Sequence, residues 1–140
     1  MAVYTKISAK DIKNFFLKYD LGDVLNHKGI QEGIENTNYF AQTNKGKFIL
    51  TIYEKRVKEN DLPFFMGLMK NLYDENFKCP KPIINRNGNY ISEIGSKKAA
   101  IVSFLPGNSK KNLSPDNCFA IGIEVAKMHM ITQKLNLKRK

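Results

Sequence analysis

The sequence is poor in the residues that staple small folds or line metal sites. It has no tryptophan, two cysteines and two histidines in 140 residues. Cys79 and Cys118 stand far apart, without a CxxC pair or a histidine pair nearby. That excludes a disulfide scaffold and a zinc module, and leaves free thiols as the expectation. No apolar run approaches a membrane span. The first residues, Met1 to Lys6, lack the hydrophobic stretch of a secretory signal. A cytoplasmic location without a membrane partner is expected. Neither His27 nor His129 has a serine and an acid at triad spacing, and no nucleophile elbow is present. Both are read as structural. The phosphate-binding pattern GxxxxGK[ST] is also absent.

Arginine is scarce in an otherwise basic chain. Lysine and arginine number 23 against 13 acidic residues, a net charge of +10, yet only Arg56, Arg86 and Arg139 are arginine. Arginine is the residue suited to bidentate phosphate and base contacts. The lysines spread along the whole chain, with short pairs such as Lys97-Lys98 and Lys110-Lys111. Asparagine is abundant too, as an AT-rich coding sequence would produce. A generic solvated surface is therefore favoured over nucleic-acid binding, which concentrates charge on one face. The balance of 42% hydrophobic and 26% charged residues is that of one ordinary globular domain.

The periodicities set out an α+β chain. Ser8-Ala9-Lys10-Asp11 reads as a capping box, and Ile12, Phe15, Phe16 and Tyr19 follow as one helical stripe, with Gly22 placed to end the turn. Three antiparallel strands are expected next: a glycine-broken one from Val24, Asn38–Thr43, and Lys47–Tyr53 after the Thr43–Gly46 turn. The nearly continuous apolar run of the third predicts cover on both faces. Leu62, Phe65, Met66, Met69, Leu72 and Tyr73 predict a second helix, capped by Asn60 or Asp61, with its Met and Phe stripe in the core. Cys79-Pro80-Lys81-Pro82 forces an extended exit. A hairpin through Arg86-Asn87-Gly88 is expected to join Ile83–Asn85 to Asn89–Ile94. Ala99–Phe104 reads as a buried strand running into the linker Leu105–Ser109. Ser114, Pro115 and Asp116 start a last helix, with Phe119, Gly122, Ile123, Ala126 and Met130 on its inner side. The sum is an antiparallel sheet of about five strands with helices.

Five strands with a helix after the third, then a linker and a helix, is the plan of a protein-kinase-like N-lobe. The segments EGIENTNYF, GKFILTIYEKR, DLPFF, CPKPI and AAIVSFLPG sharpen it. Jointly they resemble the aminoglycoside-phosphotransferase-like family of small-molecule kinases, and within it the bacterial homoserine kinases, over about residues 3–135. The resemblance implies ATP-dependent phosphorylation of L-homoserine, a step of threonine biosynthesis, with ATP and Mg²⁺ in the full-length enzyme. It implies a division into an N-lobe (1–105), a hinge (106–113) and the start of a C-lobe (114–140).

By position, the resemblance places Asn36, Thr37 and Asn38 near the phosphates. It has Ile34 and Ile49 sandwiching the adenine, and Ser103, Phe104 and Leu105 forming the hinge. Thr51 stands where protein kinases carry a phosphate-binding lysine, and Lys47 or Lys55 is the candidate substitute. The helix acid is left open among Glu59, Asp61 and Glu75. The His-x-Asp segment and the second metal-binding Asp of the family do not occur in the chain. No catalytic or metal-binding residue is therefore expected here, and the polypeptide alone is expected not to catalyse the transfer. An acceptor such as choline or an aminoglycoside is the first alternative. The second is a basic nucleic-acid-binding module stacking bases on Tyr39, Phe40, Tyr53 and Tyr90. Truncation is expected to leave Phe119, Ile123 and Met130 partly exposed.

Overall fold

The computed structural model describes residues 4–137 and 139. Met1 to Val3, from the chain start read above, and Lys138 and Lys140 of the basic tail lie outside the described residues. Helix α1 (Ala9–Phe16) begins at the Ser8–Asp11 capping box. It ends at Phe16, before Gly22; that glycine, at φ 75°, turns the chain into the sheet instead. The strands are β1 (Val24–Ile30), β2 (Thr37–Thr43), β3 (Gly46–Ile52), β4 (Pro82–Ile83), β5 (Ile91–Ile94) and β6 (Lys97–Ser103). A short 3-10 turn (Glu59–Asp61) leads into α2 (Leu62–Asp74), and α3 spans Pro115–Thr132.

The sheet is antiparallel, in the order β1-β2-β3-β6-β4. β5 also pairs with β6. β4 meets Ile101–Val102 and β5 meets Lys97–Ala100, so the two share one edge of β6 and do not pair with each other. The expected hairpin is thus corrected to a loop. Asn85 shapes it, because its side-chain Oδ1 accepts from the amides of Asn87 and Asn89 and its backbone exchanges bonds with Asn89 and Gly88.

One sheet face carries the main core. Tyr39, Ala41, Phe48, Leu50, Ile52, Ile94, Ala99 and Ile101 meet Ile12, Phe15, Phe16 and Tyr19 of the α1 segment. Phe16 meets Phe48 edge-on at 6.4 Å between ring centroids. β3 alternates strictly, with Phe48, Leu50 and Ile52 buried and Lys47, Ile49 and Thr51 half-buried or exposed. The expectation of cover on both faces therefore fails: α1 covers only one. In α2, Leu62, Met66 and Leu72 are buried, while Phe65 and Met69 are half-buried and Tyr73 is exposed. Only part of that stripe is core. Asp61 occupies the cap position but its side chain makes no capping bond. Its Oδ2 accepts from Arg139 at 2.6 Å.

Helix α3 starts on the Ser114–Asn117 capping box. None of its residues is buried, and Phe119, Ile121, Ile123, Val125 and Met130 are all exposed. The predicted inner side is thus not an inner side here, while the expected exposure is observed. No helix among the described residues is long and apolar enough to cross a membrane.

Two outcomes follow. Phe16→Ala, at a 1% exposed site, should cost about 3–5 kcal/mol of stability, measured by urea unfolding. The native chain should enhance the fluorescence of the apolar dye ANS, and Phe119→Ser with Met130→Ser should reduce that enhancement without shifting the urea midpoint by much.

Candidate functional site

The face turned away from α1 is built by strand register. Ile30 of β1 stands beside Asn38 of β2. Asn38 stands beside Thr51 and Phe40 beside Ile49 of β3. Thr51 and Ile49 in turn pair with Ala100 and Val102 of β6. Because side chains alternate across a strand, these residues share one surface. Ala100 and Val102 are buried, and the others are half-buried. Just past β6, Phe104 meets Phe40 edge-on at 5.4 Å between centroids. The surface therefore has an apolar half (Phe40, Ile49, Val102, Phe104) and a polar half. In the polar half the Thr51 hydroxyl donates to Asn38 Oδ1 at 2.8 Å.

The apolar half ends at the segment after β6. The Ser103 amide donates to Lys81 O at 2.8 Å and the Phe104 amide to Lys47 O at 3.0 Å. The Lys81 amide donates to Ser103 Oγ at 2.8 Å. Among the described residues the Leu105 amide has no such acceptor.

On the opposite side, the loop between β1 and β2 is pinned by the N-terminal segment. Thr37 is fully buried. Its Oγ1 accepts from the amides of Tyr4 and Thr5, each at 3.0 Å, and donates to Glu54 Oε1 at 2.7 Å. The Thr5 hydroxyl also donates to Glu54 Oε1, at 2.6 Å. Lys97 donates to Thr5 Oγ1 at 2.6 Å and forms an ion pair with Glu54. The Tyr39 hydroxyl donates to Thr5 O at 3.0 Å, and the Glu54 amide donates to Asn36 Oδ1 at 3.3 Å. Burial alone would raise the Glu54 pKa. The bonds from Lys97, Thr5 and Thr37, with the Lys97 charge, outweigh it and hold the carboxyl below its ordinary value.

Of the residues singled out in the sequence, Asn38, Ile49, Thr51, Ser103, Phe104 and Leu105 border the open surface. Thr37 does not, because its hydroxyl is committed on the α1 side. Asn36 turns to the Glu54 backbone. Ile34 is 73% exposed, and its carbonyl accepts from the Tyr4 hydroxyl at 3.0 Å. It lines a pocket of about 320 Å³ with Tyr4, Glu35, Glu54, Lys55 and Arg56, away from Ile49. Ile30, Phe40 and Val102 are the additions the structure makes. Their signal was the two-residue alternation counted from Ile49 through the strand pairing. The four aromatic rings proposed for base stacking do not share a face: Tyr39 is buried and hydrogen-bonded, and burial pushes the half-buried Tyr53 hydroxyl up to about 12. Among the described residues no three His, Cys, Asp or Glu side chains gather as metal ligands.

The match to a family model decides the kinship: residues 26–139 fit the phosphotransferase enzyme family. The chain belongs to that family. It is 44% identical over 139 residues to the homoserine kinase of Rhodopseudomonas palustris, covering 99% of this chain and 42% of that protein. It is 48% identical over 129 residues to that of Beijerinckia indica, covering 92% and 40%. The chain thus spans less than half the length of these relatives. In fold it is similar to amicoumacin kinase hAmiN in complex with AMP-PNP, Ca²⁺ and Ami, with TM-score 0.74 and 16% identity over 95% of this chain and 42% of that one. A microcompartment-associated aminopropanol kinase gives 0.72 and 14%, over 94% and 42%. The architecture is a kinase-like N-lobe, with six strands where about five were expected.

The Glu54 clamp gives a signed pH dependence. Its lowered folded pKa contributes stability that is fully present above the unfolded carboxylate value and lost as pH falls through the folded one. Glu54→Gln should cost about 1–2 kcal/mol at pH 7. Its difference from the parent should begin to close below pH 4.5, the ordinary value for a glutamate, in urea titrations run across pH.

Proposed function

We propose that this chain is the nucleotide-holding lobe of a cytoplasmic, ATP-dependent kinase that phosphorylates the side-chain hydroxyl of L-homoserine. The products are ADP and O-phosphohomoserine, within threonine biosynthesis. The observation that carries the nucleotide half is the open sheet surface, with its apolar part beside the hinge and its polar part beside Asn38 and Thr51. The acceptor rests on the 44–48% identity to proteins named homoserine kinase along nearly the whole chain. On this reading residues 1–105 form the lobe, 106–113 the hinge, and 114–140 open a second lobe.

The chain's own groups have limited tasks. Phe40, Ile49 and Val102 enclose a flat base by apolar contact. The Leu105 amide and the Ser103 carbonyl offer one donor and one acceptor to its edge. The β1–β2 loop, fixed by Thr37 and Glu54, covers the polar end. Mg²⁺ supplies charge neutralisation at the phosphates when bound, and its ligands are not assigned to these residues.

The test has two arms. Amide shifts on adding ADP to the 140-residue chain should centre on Ile30, Phe40, Ile49, Val102 and Leu105. Shifts centred elsewhere would displace the site. Phe40→Ala should weaken ADP binding about tenfold, the loss of about one buried apolar contact. In the second arm, the product of the entire reading frame is given ATP and L-homoserine, and ADP release is followed. Turnover with homoserine and none with choline or an aminoglycoside is expected, and the reverse pattern would reassign the acceptor. The 140-residue chain itself should give no turnover.

A further inference from the structure

Resting on that nucleotide reading, the question left by Thr51 is which cation meets the phosphates. A polyphosphate carries several negative charges, and Thr51 offers a hydroxyl already donated to Asn38. Three lysines share the open surface by strand alternation: Lys28, Lys47 and Lys98. Lys28 stands beside Phe40 and Lys47 beside Gln42. Lys47 is four residues along β3 from Thr51, about 13 Å at strand rise, and its carbonyl binds the hinge amide of Phe104. Both lie toward the apolar half. Lys55 follows β3 in a turn and lines the pocket of Tyr4 and Ile34 beside Glu54.

Lys98 is placed differently. Thr51 pairs with Ala100, and Lys98 lies two residues further along β6 on the same face. Diagonal neighbours of this kind are about 7–8 Å apart, within reach of a long side chain. The Lys98 carbonyl accepts from the Tyr53 amide at 2.9 Å, which sets it at the end of the sheet that bears the β1–β2 loop. Its ammonium forms an ion pair with Glu93 of β5 and stands 3.8 Å from Glu59 Oε2. Glu59 is in the turn that opens α2, so the Lys98 ammonium stands between that turn and β5. The side chain is 30% exposed while both acids are more than 60% exposed. Both acids are therefore free to swing into water when a stronger anion arrives. The Lys97 ammonium, one residue away, is on the opposite face and committed to Glu54.

We propose that Lys98 supplies the cation for the nucleotide phosphates in place of Thr51, with Glu59 and Glu93 holding its ammonium in position beforehand. The lysine of β6 then exchanges Glu93 and Glu59 for the phosphates when the nucleotide binds. Its pair with Glu93, first, and the charges of Glu93 and Glu59 raise its pKa, keeping it protonated at neutral pH.

The experiment compares ATP and adenosine binding to the 140-residue chain by titration calorimetry, for the parent, Lys98→Met, Lys98→Arg and Lys55→Met. Lys98→Met should weaken ATP about tenfold, the worth of about one charge-assisted hydrogen bond at a half-open site, and leave adenosine within twofold. Lys98→Arg should restore most of the ATP affinity, and Lys55→Met should match the parent. Equal losses for ATP and adenosine in Lys98→Met would make Lys98 structural and overturn the proposal, as would no loss for either. Binding of neither ligand by the parent would overturn the nucleotide surface itself, and this proposal with it. Binding of adenosine by the parent keeps the two failures apart.

Discussion

Burial of Phe15 and Phe16 of α1 against Phe48, Leu50 and Ile101 decides which face of the sheet is closed and which stays open. A strand shows its side chains to alternate faces. Once Phe48, Leu50 and Ile52 are under α1, Ile49 and Thr51 must look the other way. A slip of one residue in β3 would exchange the two sets and put Thr51 and Lys47 in the core. The large aromatic rings make that slip costly, since each buries one of the larger apolar areas in the protein. The surface assigned to the nucleotide is in this sense a by-product of core packing. It needs no residue chosen for its position beyond the ones that complete the apolar and polar halves.

The second constraint is the clamp at the start of β2. Four polar groups, from Thr5, Thr37, Glu54 and Lys97, converge in a half-buried space, and each finds a partner. A buried carboxylate without such partners would be costly. With them it ties the N-terminal segment, the end of β3 and the start of β6 to the root of the β1–β2 loop. The loop is thereby fixed at one end, whereas Ile34 farther along it stays exposed. Lys97 and Lys98 show the same alternation acting on charge: one residue serves the clamp, and the next reaches the opposite surface.

Much of this was legible from local signals. The capping box at Ser8, the N-cap at Ser114, the α1 stripe and the strand run at Lys47–Tyr53 depend on neighbours a few residues apart, and all formed, although α1 stops at Phe16, short of Tyr19, and β3 stops at Ile52. What failed depended on distant partners. Two strands joined by Arg86-Asn87-Gly88 have a hairpin's sequence, but β6 was available to both and took them in line along its edge. Apolar character at Ile49 was read as core because hydropathy does not say whether the covering partner is a helix or a ligand. Asp61 sits at a helix start, yet Arg139 holds its carboxylate. Ile49, Thr51 and Ser103 to Leu105 are singled out through the family resemblance, and they border one open surface. Thr37 turns its hydroxyl to Glu54 on the α1 side, because the adjacent residue, Asn38, carries the opposite side of the pleat. Ile30, Phe40 and Val102 required the register.

Helix α3 shows what the remaining polar and apolar pattern means physically. Its start is specified locally, by the Ser114–Asn117 capping box. Its apolar residues, however, go round the helix instead of lining one stripe: Phe119, Ile121, Ile123, Val125 and Met130 are all exposed. A helix apolar on every side belongs to the inside of a larger body. Relatives more than twice this length are where such a helix has chain to meet. The sheet lobe does not share that dependence. Its core packs under α1, its polar clamp is satisfied, and its opposite face leaves Phe40, Ile49 and Thr51 half-buried. On the proposed reading, the apolar and polar halves that would hold a nucleotide lie wholly within the sheet lobe, apart from α3.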